Sequence, residues 1–399
     1  MNGWKTILVG DLVEAVKSWN PLRAEPDGVF DYIDLSALDS ASKVVVGARL
    51  VLCNEAPSRA RQLVSTGDVL VSTVRPNLNG VARVTADLDG ATASTGFCVL
   101  RPRNDLLDGG YLFQWVKSPQ FVSDMVRKAT GASYPAVSDR IIFESRIPCP
   151  SLPEQRRIAA ILDQADALRI KRRESLIQLD ILMQSLFKEI FGNALSDKTR
   201  FELVELIESF RYGTSNKSGD TGYPALRIPN VTSGSLDLTE LKMVQVDAAE
   251  FQRLKLLDGD LLFVRTNGNP DNVGRCAVFN PATVSRSGFD VSEFIYASYL
   301  IRTRLKTARL LPIVLQEYLS AGEGRQALRA RCKTSAGQFN INTESLGTLP
   351  IPDFPMPLQE IFAHRKQTVE RLKMIHRAAL SELDALFLAL QQRAFNGTL

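Results

Sequence analysis

The chain has 399 residues, of which 45% are hydrophobic, and a formal net charge of +4 at pH 7. This is enough apolar material for the cores of two or three domains. No apolar run reaches the roughly 18 to 20 residues of a membrane span, and the N-terminal residues lack the zones of a signal peptide, so we expect a cytoplasmic chain with no membrane partner. The five cysteines are scattered and odd in number, which favours buried thiols over disulfides or a zinc site.

Strand and helix patterns follow each other in the first 150 residues. Strand alternation is found in FDYIDL at 30–35, GDVLVSTV at 67–74 and GFCVLRP at 96–102. Helical spacing then runs from Gly109 to Gly131. These patterns predict a mixed α/β domain over residues 1–150.

A long helix is predicted next, from Glu154 to Phe191, because apolar residues recur there on one helical stripe. Three prolines precede it, and Gly192-Asn193 is the expected C-terminal signal. At about 1.5 Å per residue such a helix would be roughly 57 Å long, which exceeds a small domain and requires a partner. The segment from Leu358 to Phe395 repeats the pattern and predicts that partner in the same chain.

The residues expected at the helix-pair and partner interface are apolar positions of these two stripes. They are Ile158, Ile161, Leu168, Leu179, Leu186, Ile361, Leu372, Ile375, Leu383 and Leu386. A basic cluster, Arg169, Lys171, Arg172 and Arg173, interrupts the first stripe. It could pass over the phosphate groups of a ligand, or it could bond to the partner helix or another subunit, and we favour the second interpretation.

The region between the helices repeats the first domain. Gly67–Val71 recurs as Gly259–Phe263, and each copy continues into a polar loop with Arg and Asn. Strands are predicted at 224–232, 259–266, 276–280 and 294–305, followed by a helix from Pro312 to Arg331. The two long helices align at one offset of 204 positions, whereas Gly67 and Gly259 are 192 apart, so insertions separate the copies.

Four features together resemble the specificity subunit of type I restriction-modification systems, over essentially the whole chain. They are the segment GDVLVSTVRPNLN at 67–79, IPCPSLPEQ at 147–155, QFNI at 338–341 and the duplicated long helix. The resemblance implies an α+β fold with two mixed α/β target recognition domains at 1–150 and 194–352. Two long helices at 151–193 and 353–399 would join them as an antiparallel coiled coil, with an internal pseudo-two-fold repeat.

The resemblance also implies the function and the partners. The chain would bind a bipartite duplex DNA target and dock two modification subunits, which are adenine methyltransferases, together with restriction/translocase subunits. It would catalyse nothing and hold no cofactor or metal, since S-adenosylmethionine, ATP and Mg are expected on the partner subunits. The alternatives are a coiled-coil scaffold without DNA binding, or a specificity module of a related methyltransferase defence system.

Chemical motifs agree with a chain that is not an enzyme. There is no Asn-Pro-Pro-aromatic segment, no glycine-rich cofactor loop after a strand and no Gly-x-x-x-x-Gly-Lys-Ser/Thr phosphate loop. The two histidines, His364 and His376, have no cysteine or carboxylate cluster at metal-ligand spacing.

Candidate DNA contacts are chosen by residue type, because Arg can bridge guanine and Asn or Gln can bridge adenine in the major groove. The candidates are Arg75, Asn77, Asn79, Ser133, Tyr134, Arg265, Asn267, Asn269, Lys333, Gln338 and Asn340. A basic run, Arg302, Arg304, Lys306, Arg309, Arg325, Arg329, Arg331 and Lys333, suggests a phosphate-facing surface. The competing interpretations are ordinary Asn-rich and Gly-rich turns, structural capping and a solvated face.

Overall fold

The computed structural model describes residues 4–285, 288–335 and 337–399. The chain divides into two compact units: unit 1 is Met1–Ser175 with Ile375–Leu399, and unit 2 is Leu176–Met374. Each unit is a mixed helix and strand domain that includes half of each long helix. The expected α+β fold with two such domains and two long helices is confirmed.

The helices are α1 Gly109–Val116, α2 Pro119–Lys128, α3 Asp139–Phe143, α4 Leu152–Ser196, α5 Ala248–Leu254, α6 Pro281–Val284, α7 Pro312–Ser320, α8 Gly322–Ala330, α9 Thr343–Gly347 and α10 Met356–Phe395. The single helices predicted before each long helix are in fact pairs. In unit 1 the break falls where the Ser118 hydroxyl accepts from Phe121 N and Pro119 starts a new helix. In unit 2 it falls at Gly322, whose φ is +61°.

Unit 1 is built on two four-stranded sheets with strand orders β6-β3-β10-β7 and β2-β11-β8-β9. Its strands are β1 Thr6–Leu8, β2 Val13–Glu14, β3 Val29–Ile33, β4 Leu38–Asp39, β5 Val44–Val45, β6 Arg49–Leu52, β7 Ala60–Leu63, β8 Val69–Ser72, β9 Val81–Arg83, β10 Thr92–Ser94, β11 Phe97–Pro102 and β12 Arg146–Pro148. One apolar core lies between the second sheet, α1, α2 and the long helices. The strands predicted at 30–35, 67–74 and 96–102 are confirmed as β3, β8 and β11.

Unit 2 repeats this plan with the orders β14-β22-β18-β20 and β15-β17-β16-β21, and adds the three-stranded sheet β19-β24-β23. Its strands are β13 Arg200–Glu202, β14 Ile207–Tyr212, β15 Ser218–Gly219, β16 Tyr223–Leu226, β17 Lys242–Val244, β18 Leu261–Val264, β19 Thr266–Asn267, β20 Cys276–Val278, β21 Ile295–Tyr296, β22 Leu300–Leu305, β23 Lys333–Ser335, β24 Gln338–Asn340 and β25 Pro350–Pro352. The four predicted strand segments all contain strands of this set.

A buried ion pair marks the repeat in both units. The Asp68 carboxylate accepts two hydrogen bonds from Arg101, at 2.9 and 2.7 Å, across β8 and β11. In unit 2, Asp260 accepts two from Arg304, at 2.7 and 2.8 Å. Because both aspartates are buried, these bidentate pairs fix the strand register at equivalent places.

A buried glutamine anchors each long helix to its own domain. Gln155 of α4 accepts from Asp108 N and donates to the Leu106 and Pro150 carbonyls. Gln359 of α10 accepts from Leu311 N and donates to the carbonyls of Arg309 and Phe354. The same side chain thus satisfies one donor and two acceptors of the irregular backbone at each helix start.

The predicted end of the first long helix at Phe191 is wrong, because α4 continues through Gly192 to Ser196. Ala194 and Leu195 pack against the core of unit 2, and a glycine inside a helix costs only about 1 kcal/mol relative to alanine. The packing of these two side chains outweighs the local stop signal.

Within each unit the halves of α4 and α10 run antiparallel. In unit 1, Arg169 Nε donates to Asp384 Oδ1 at 2.6 Å, and Arg172 lies 3.3 Å from His376 Nδ1. In unit 2, Asp180 pairs with Lys373 at 2.7 Å, and the Phe187 and Phe362 rings are 5.3 Å apart. In each unit, a residue further along α4 therefore contacts an earlier residue of α10.

The positions predicted for the helix-pair and partner interface are covered at some residues and exposed at others. Ile158 is buried, Leu179 and Leu186 pack against the core of unit 2, and Ile161 and Leu383 are half-buried. By contrast, the following predicted positions are exposed: Leu168, Ile361, Leu372, Ile375 and Leu386.

The error on α10 has a physical cause. The buried stripe there includes Lys366 and Lys373, whose amines pair with Glu317 at 2.8 Å and with Asp180 at 2.7 Å while their alkyl stems are covered. A search for apolar residues at helical spacing omits such lysines, so it identifies the neighbouring stripe of α10, which faces solvent.

Candidate nucleic-acid interface

The loop after β8 in unit 1 presents an arginine stacked on a tyrosine. The Arg75 guanidinium lies 4.6 Å from the centre of the Tyr134 ring, and both side chains are exposed. Arg75 N donates to Pro135 O at 2.7 Å, and Val137 N donates to Thr73 O at 2.8 Å, which joins this loop to the segment after α2. The two predicted sites, 75–79 and 133–134, therefore form one surface.

Arg75 also has a left-handed backbone, with φ of +50° and ψ of +62°. This conformation costs an arginine about 1 to 2 kcal/mol, and the flanking hydrogen bonds hold it in place. The strained backbone orients the side chain over Tyr134.

The remaining candidates of this loop differ in their surroundings. Asn77 and Ser133 are exposed and could reach a ligand. Asn79 differs from them, because its side-chain amide nitrogen donates to Lys117 O at 3.3 Å and its backbone carbonyl accepts from the Lys43 amine. The Asn79 amide nitrogen thus braces the loop, and contact of this side chain with DNA stays a prediction.

Unit 2 presents the same pair of groups from a different element. The Arg265 guanidinium lies 4.8 Å from the centre of the Tyr212 ring, and its Nη1 donates to Ser298 O at 3.4 Å. Arg265 is exposed and follows directly after β18. Its backbone is held by hydrogen bonds with Tyr299 O and Ile341 N, both 2.9 Å long.

The other candidates of unit 2 lie on the sheet β19-β24-β23 and the turn beside it. Asn340 is paired with both Thr266 and Lys333, which brings the segments 266–267, 333–335 and 338–340 together. Gln338 Oε1 accepts from the Thr266 hydroxyl at 2.9 Å, and Asn340 Nδ2 donates to Gln338 O at 3.2 Å. Lys333 is exposed at the edge of the sheet.

Asn267 and Asn269 serve the turn itself. The Asn267 carbonyl oxygen accepts from Asn269 N at 2.8 Å, and that of Asn269 accepts from Asp271 N at 2.9 Å. These are Asx turns, so the structural interpretation applies to the side-chain oxygens of both residues.

Sequence reasoning did not find Tyr212 or Lys43. Tyr212 ends a strand 53 positions before Arg265, and only the folded chain brings the ring under the guanidinium. The sequence feature that could have identified Tyr212 is an aromatic residue at the end of a strand, directly before Gly213. Lys43, with φ of +60°, braces Asn79 from a turn that has no motif.

The predicted phosphate-facing surface from Arg302 to Lys333 is wrong as a single surface. Most of its cations are engaged inside unit 2: Arg304 pairs with Asp260, Arg329 pairs with Asp271 at 2.8 Å, and Arg325 donates to the Val273 and Asp271 carbonyls. A run of like charges in sequence is divided among strands and helices that point in different directions.

The basic cluster of α4 bonds to the partner helix, as predicted. Arg169 and Arg173 both donate to Asp384, at 2.6 and 3.1 Å, and Arg172 lies 3.3 Å from His376 Nδ1. These arginines therefore belong to the helix pair of unit 1.

The two arginine and tyrosine pairs define what the site can do. An exposed guanidinium held over an aromatic ring is preorganised to donate two hydrogen bonds to guanine O6 and N7. Across the described ranges, no group of three His, Cys, Asp or Glu residues is placed to hold a metal ion. No helix in the same ranges has the length and apolarity that crossing a membrane requires.

Comparison with known proteins agrees with this geometry. A family model for the type I restriction modification DNA specificity domain matches residues 1–179. The EcoKI specificity subunit of Escherichia coli strain K12 is 26% identical over 329 residues, which cover 76% of this chain and 68% of that protein. The MjaVIII specificity subunit of Methanocaldococcus jannaschii is 22% identical and covers 96% of this chain and 89% of its own length.

A solved structure concerned with complex assembly and conformational transition of the type I R-M system has the same fold, with a TM-score of 0.58 at 25% identity. It covers 100% of this chain and 99% of its own. Fold, repeat and relatives thus define a class of duplicated DNA specificity proteins. This chain is similar in sequence and in fold to the specificity subunits of type I restriction-modification systems.

Proposed function

We propose that this chain supplies the DNA sequence specificity of a type I restriction-modification complex, with each unit reading one half of a bipartite duplex target. The observation that carries the proposal is an arginine held over a tyrosine in the segment after the corresponding strand of each unit, Arg75 with Tyr134 after β8 and Arg265 with Tyr212 after β18. A duplicated reader in one chain matches a target with two half-sites.

The chain contributes recognition and leaves catalysis to its partners. Adenine methylation belongs to two modification subunits, and DNA translocation and cleavage belong to restriction subunits. S-adenosylmethionine, ATP and Mg are bound there. The alternative of a related methyltransferase defence system assigns this chain the same role.

The modification subunits dock on the exposed apolar stripe of α10. Ile361, Leu372, Ile375 and Leu386 are separated by three or eleven residues, which is the spacing of one helix face, and each is more than 40% exposed. Ile177 and Ile181 of α4 are likewise exposed and one turn apart. Apolar side chains displayed along long helices indicate a protein partner.

The docking part is tested by Ile361→Asp with Ile375→Asp, both on the exposed stripe. The fold should survive because these side chains face solvent, whereas co-purification with the modification subunit should be lost. Gln367→Asp, exposed on another face of the same helix, is the matched control and should retain the partner. Co-purification of the double variant at the wild-type level would reject this surface.

The recognition part is tested by retention of random duplex DNA on the complex with its modification subunit. We expect a selected consensus of two half-sites, with affinity that falls as salt rises. A coiled-coil scaffold would retain no DNA under any salt condition, and an enzyme would methylate or cleave DNA as the isolated chain.

A further inference from the structure

Two arginines of unit 2 lie side by side on one face of the sheet β14-β22-β18-β20. Arg211 of β14 is directly opposite Arg302 of β22. Residues opposite each other in an antiparallel pair project to the same face, and like charges at such positions are destabilising. The arrangement therefore needs a group that offsets the repulsion.

Arg302 has almost no solvent to screen its charge, since only 4% of the residue is exposed. Nη2 donates to Ser209 Oγ at 3.3 Å, and the Nε atoms of Arg302 and Arg211 are enclosed without a hydrogen-bond partner. Burial lowers the pKa of Arg302 from its ordinary value, although a guanidinium remains protonated at neutral pH. A buried charge in this state is normally paired.

No protein carboxylate supplies the pairing in the described part of unit 2. The acidic group near Arg302 is Asp260, and both of its oxygens already accept hydrogen bonds from Arg304. Among Arg211, Arg302 and Arg304 in the described part of unit 2, Arg304 is the one with a carboxylate within ion-pair distance. The excess positive charge is left for a ligand.

The internal repeat shows that the fold does not require these arginines. In unit 1, Val99 of β11 is directly opposite Leu70 of β8. In unit 2, Arg302 of β22 is opposite Leu262 of β18 in the same way. Val99 is therefore the residue of unit 1 that corresponds to Arg302. Val99 is buried in an apolar cluster.

The place of Arg211 is also apolar in unit 1. Glu14 is opposite Arg101 in unit 1, and Ser209 is opposite Arg304 in unit 2, so Glu14 corresponds to Ser209. Val16, two residues beyond Glu14, therefore corresponds to Arg211, and it packs on the same apolar cluster as Val99. Unit 2 has a pair of guanidinium groups where unit 1 has a pair of valines.

We propose that Arg211 and Arg302 form an oxyanion site in unit 2 that takes a phosphate group, with a backbone phosphate of the DNA half-site as its source. The guanidinium fork matches phosphate oxygens, and half-buried Arg211 opens the site to solvent. Tyr212, which holds Arg265, is the next residue of β14, so the base-reading arginine lies on the opposite face of this sheet from the phosphate site. The DNA source rests on the function proposed above, whereas the phosphate site itself does not.

The first experiment uses inorganic phosphate and the full chain. Thermal unfolding is measured in sodium phosphate and in sodium chloride at equal ionic strength. The wild-type melting temperature should be higher in phosphate, by roughly 5 °C once phosphate exceeds its dissociation constant a hundredfold.

Two variants remove the site, and one controls for charge. Arg211→Val with Arg302→Val imitates unit 1, and Arg211→Gln is a milder change at a half-buried position in case the double variant does not fold. Both should lose the phosphate effect. Arg253→Gln, an exposed position of α5 whose arginine pairs with Glu250, should retain it. Equal melting temperatures of wild type in the two salts, or an unchanged phosphate effect in the variants, would overturn the site.

The second experiment identifies the source of the phosphate, using the complex with its modification subunit. Loss of one backbone contact should reduce the slope of log affinity against log salt by about 1 and leave the selected sequence unchanged. A phosphate effect with an unchanged slope would keep the site and assign it to free phosphate. If the wild-type complex selects no sequence, the proposed function fails while the melting experiment still decides the site.

Discussion

Units 1 and 2 share their framework and differ at the surface they present. Both contain the Asp-Arg pair across two central strands, the buried glutamine at the start of a long helix and an arginine stacked on a tyrosine. The tyrosine of unit 1 comes from the loop after α2, whereas that of unit 2 comes from the end of β14. Equal frameworks thus hold arginines after the corresponding strands β8 and β18, at positions two residues apart in the repeat and with unrelated supports, as expected for two readers of different half-sites.

The largest expected effect concerns the shared framework. Asp68→Ala and Asp260→Ala each leave a guanidinium without its bidentate partner, and breaking such a pair costs about 3 kcal/mol. We expect hydrogen-exchange protection to fall in β8 and β11 for the first variant and in β18 and β22 for the second. Protection at wild-type levels in both variants would show that the pair does not hold the strands.

A smaller effect is expected where the supports differ. Tyr212→Ala removes the ring under Arg265, and an exposed cation–π contact is worth about 0.5 to 1 kcal/mol. DNA affinity should fall about two- to fivefold, while Tyr212→Phe keeps the ring and should bind nearly as wild type. The same two changes at Tyr134 test unit 1. Equal losses for Phe and Ala would mean that the hydroxyl, and not the stacking, matters.

The smallest expected effect is a pH dependence of the free energy of unfolding that arises at the arginine loop of unit 1, where the Lys43 amine lies. The pKa of Lys43 is lowered from 10.5 to about 8, first because burial disfavours its charge and then because Lys117 lies near it. Between these values the unfolded chain binds more protons than the folded chain, so the free energy of unfolding should rise with pH above about 8. Urea unfolding of wild type and Lys43→Met at pH 7.5 and 9 should show this rise in wild type alone. The same rise in both proteins would assign it to other groups.

Much of the framework could be predicted from the sequence, because duplication and periodicity are local patterns. The central strands, the two long helices and the two arginine loops were found in this way. The packed stripe of α10 was not, because Lys366 and Lys373 are buried by pairing with carboxylates that are distant in sequence.

The site was less predictable than the framework. Arg75 and Arg265 can be recognised by residue type and because each follows the repeated strand segment of its unit. Tyr212, the bracing of Asn79 by Lys43 and the buried Arg302 depend on contacts between distant segments. Residue type alone also could not separate an asparagine that serves its own turn, such as Asn267, from one that is free for a ligand.

The central claim is that each unit reads its own half-site, and base selection with single-unit variants tests it most directly. Complexes carrying Arg75→Ala or Arg265→Ala would be used to select binders from random duplexes. Each variant should lose preference at one position of one half-site, equivalent to about 1 to 3 kcal/mol of discrimination, and keep the other half-site intact. A uniform loss of affinity with both half-sites unchanged, or a loss of preference in both half-sites from one substitution, would contradict the account.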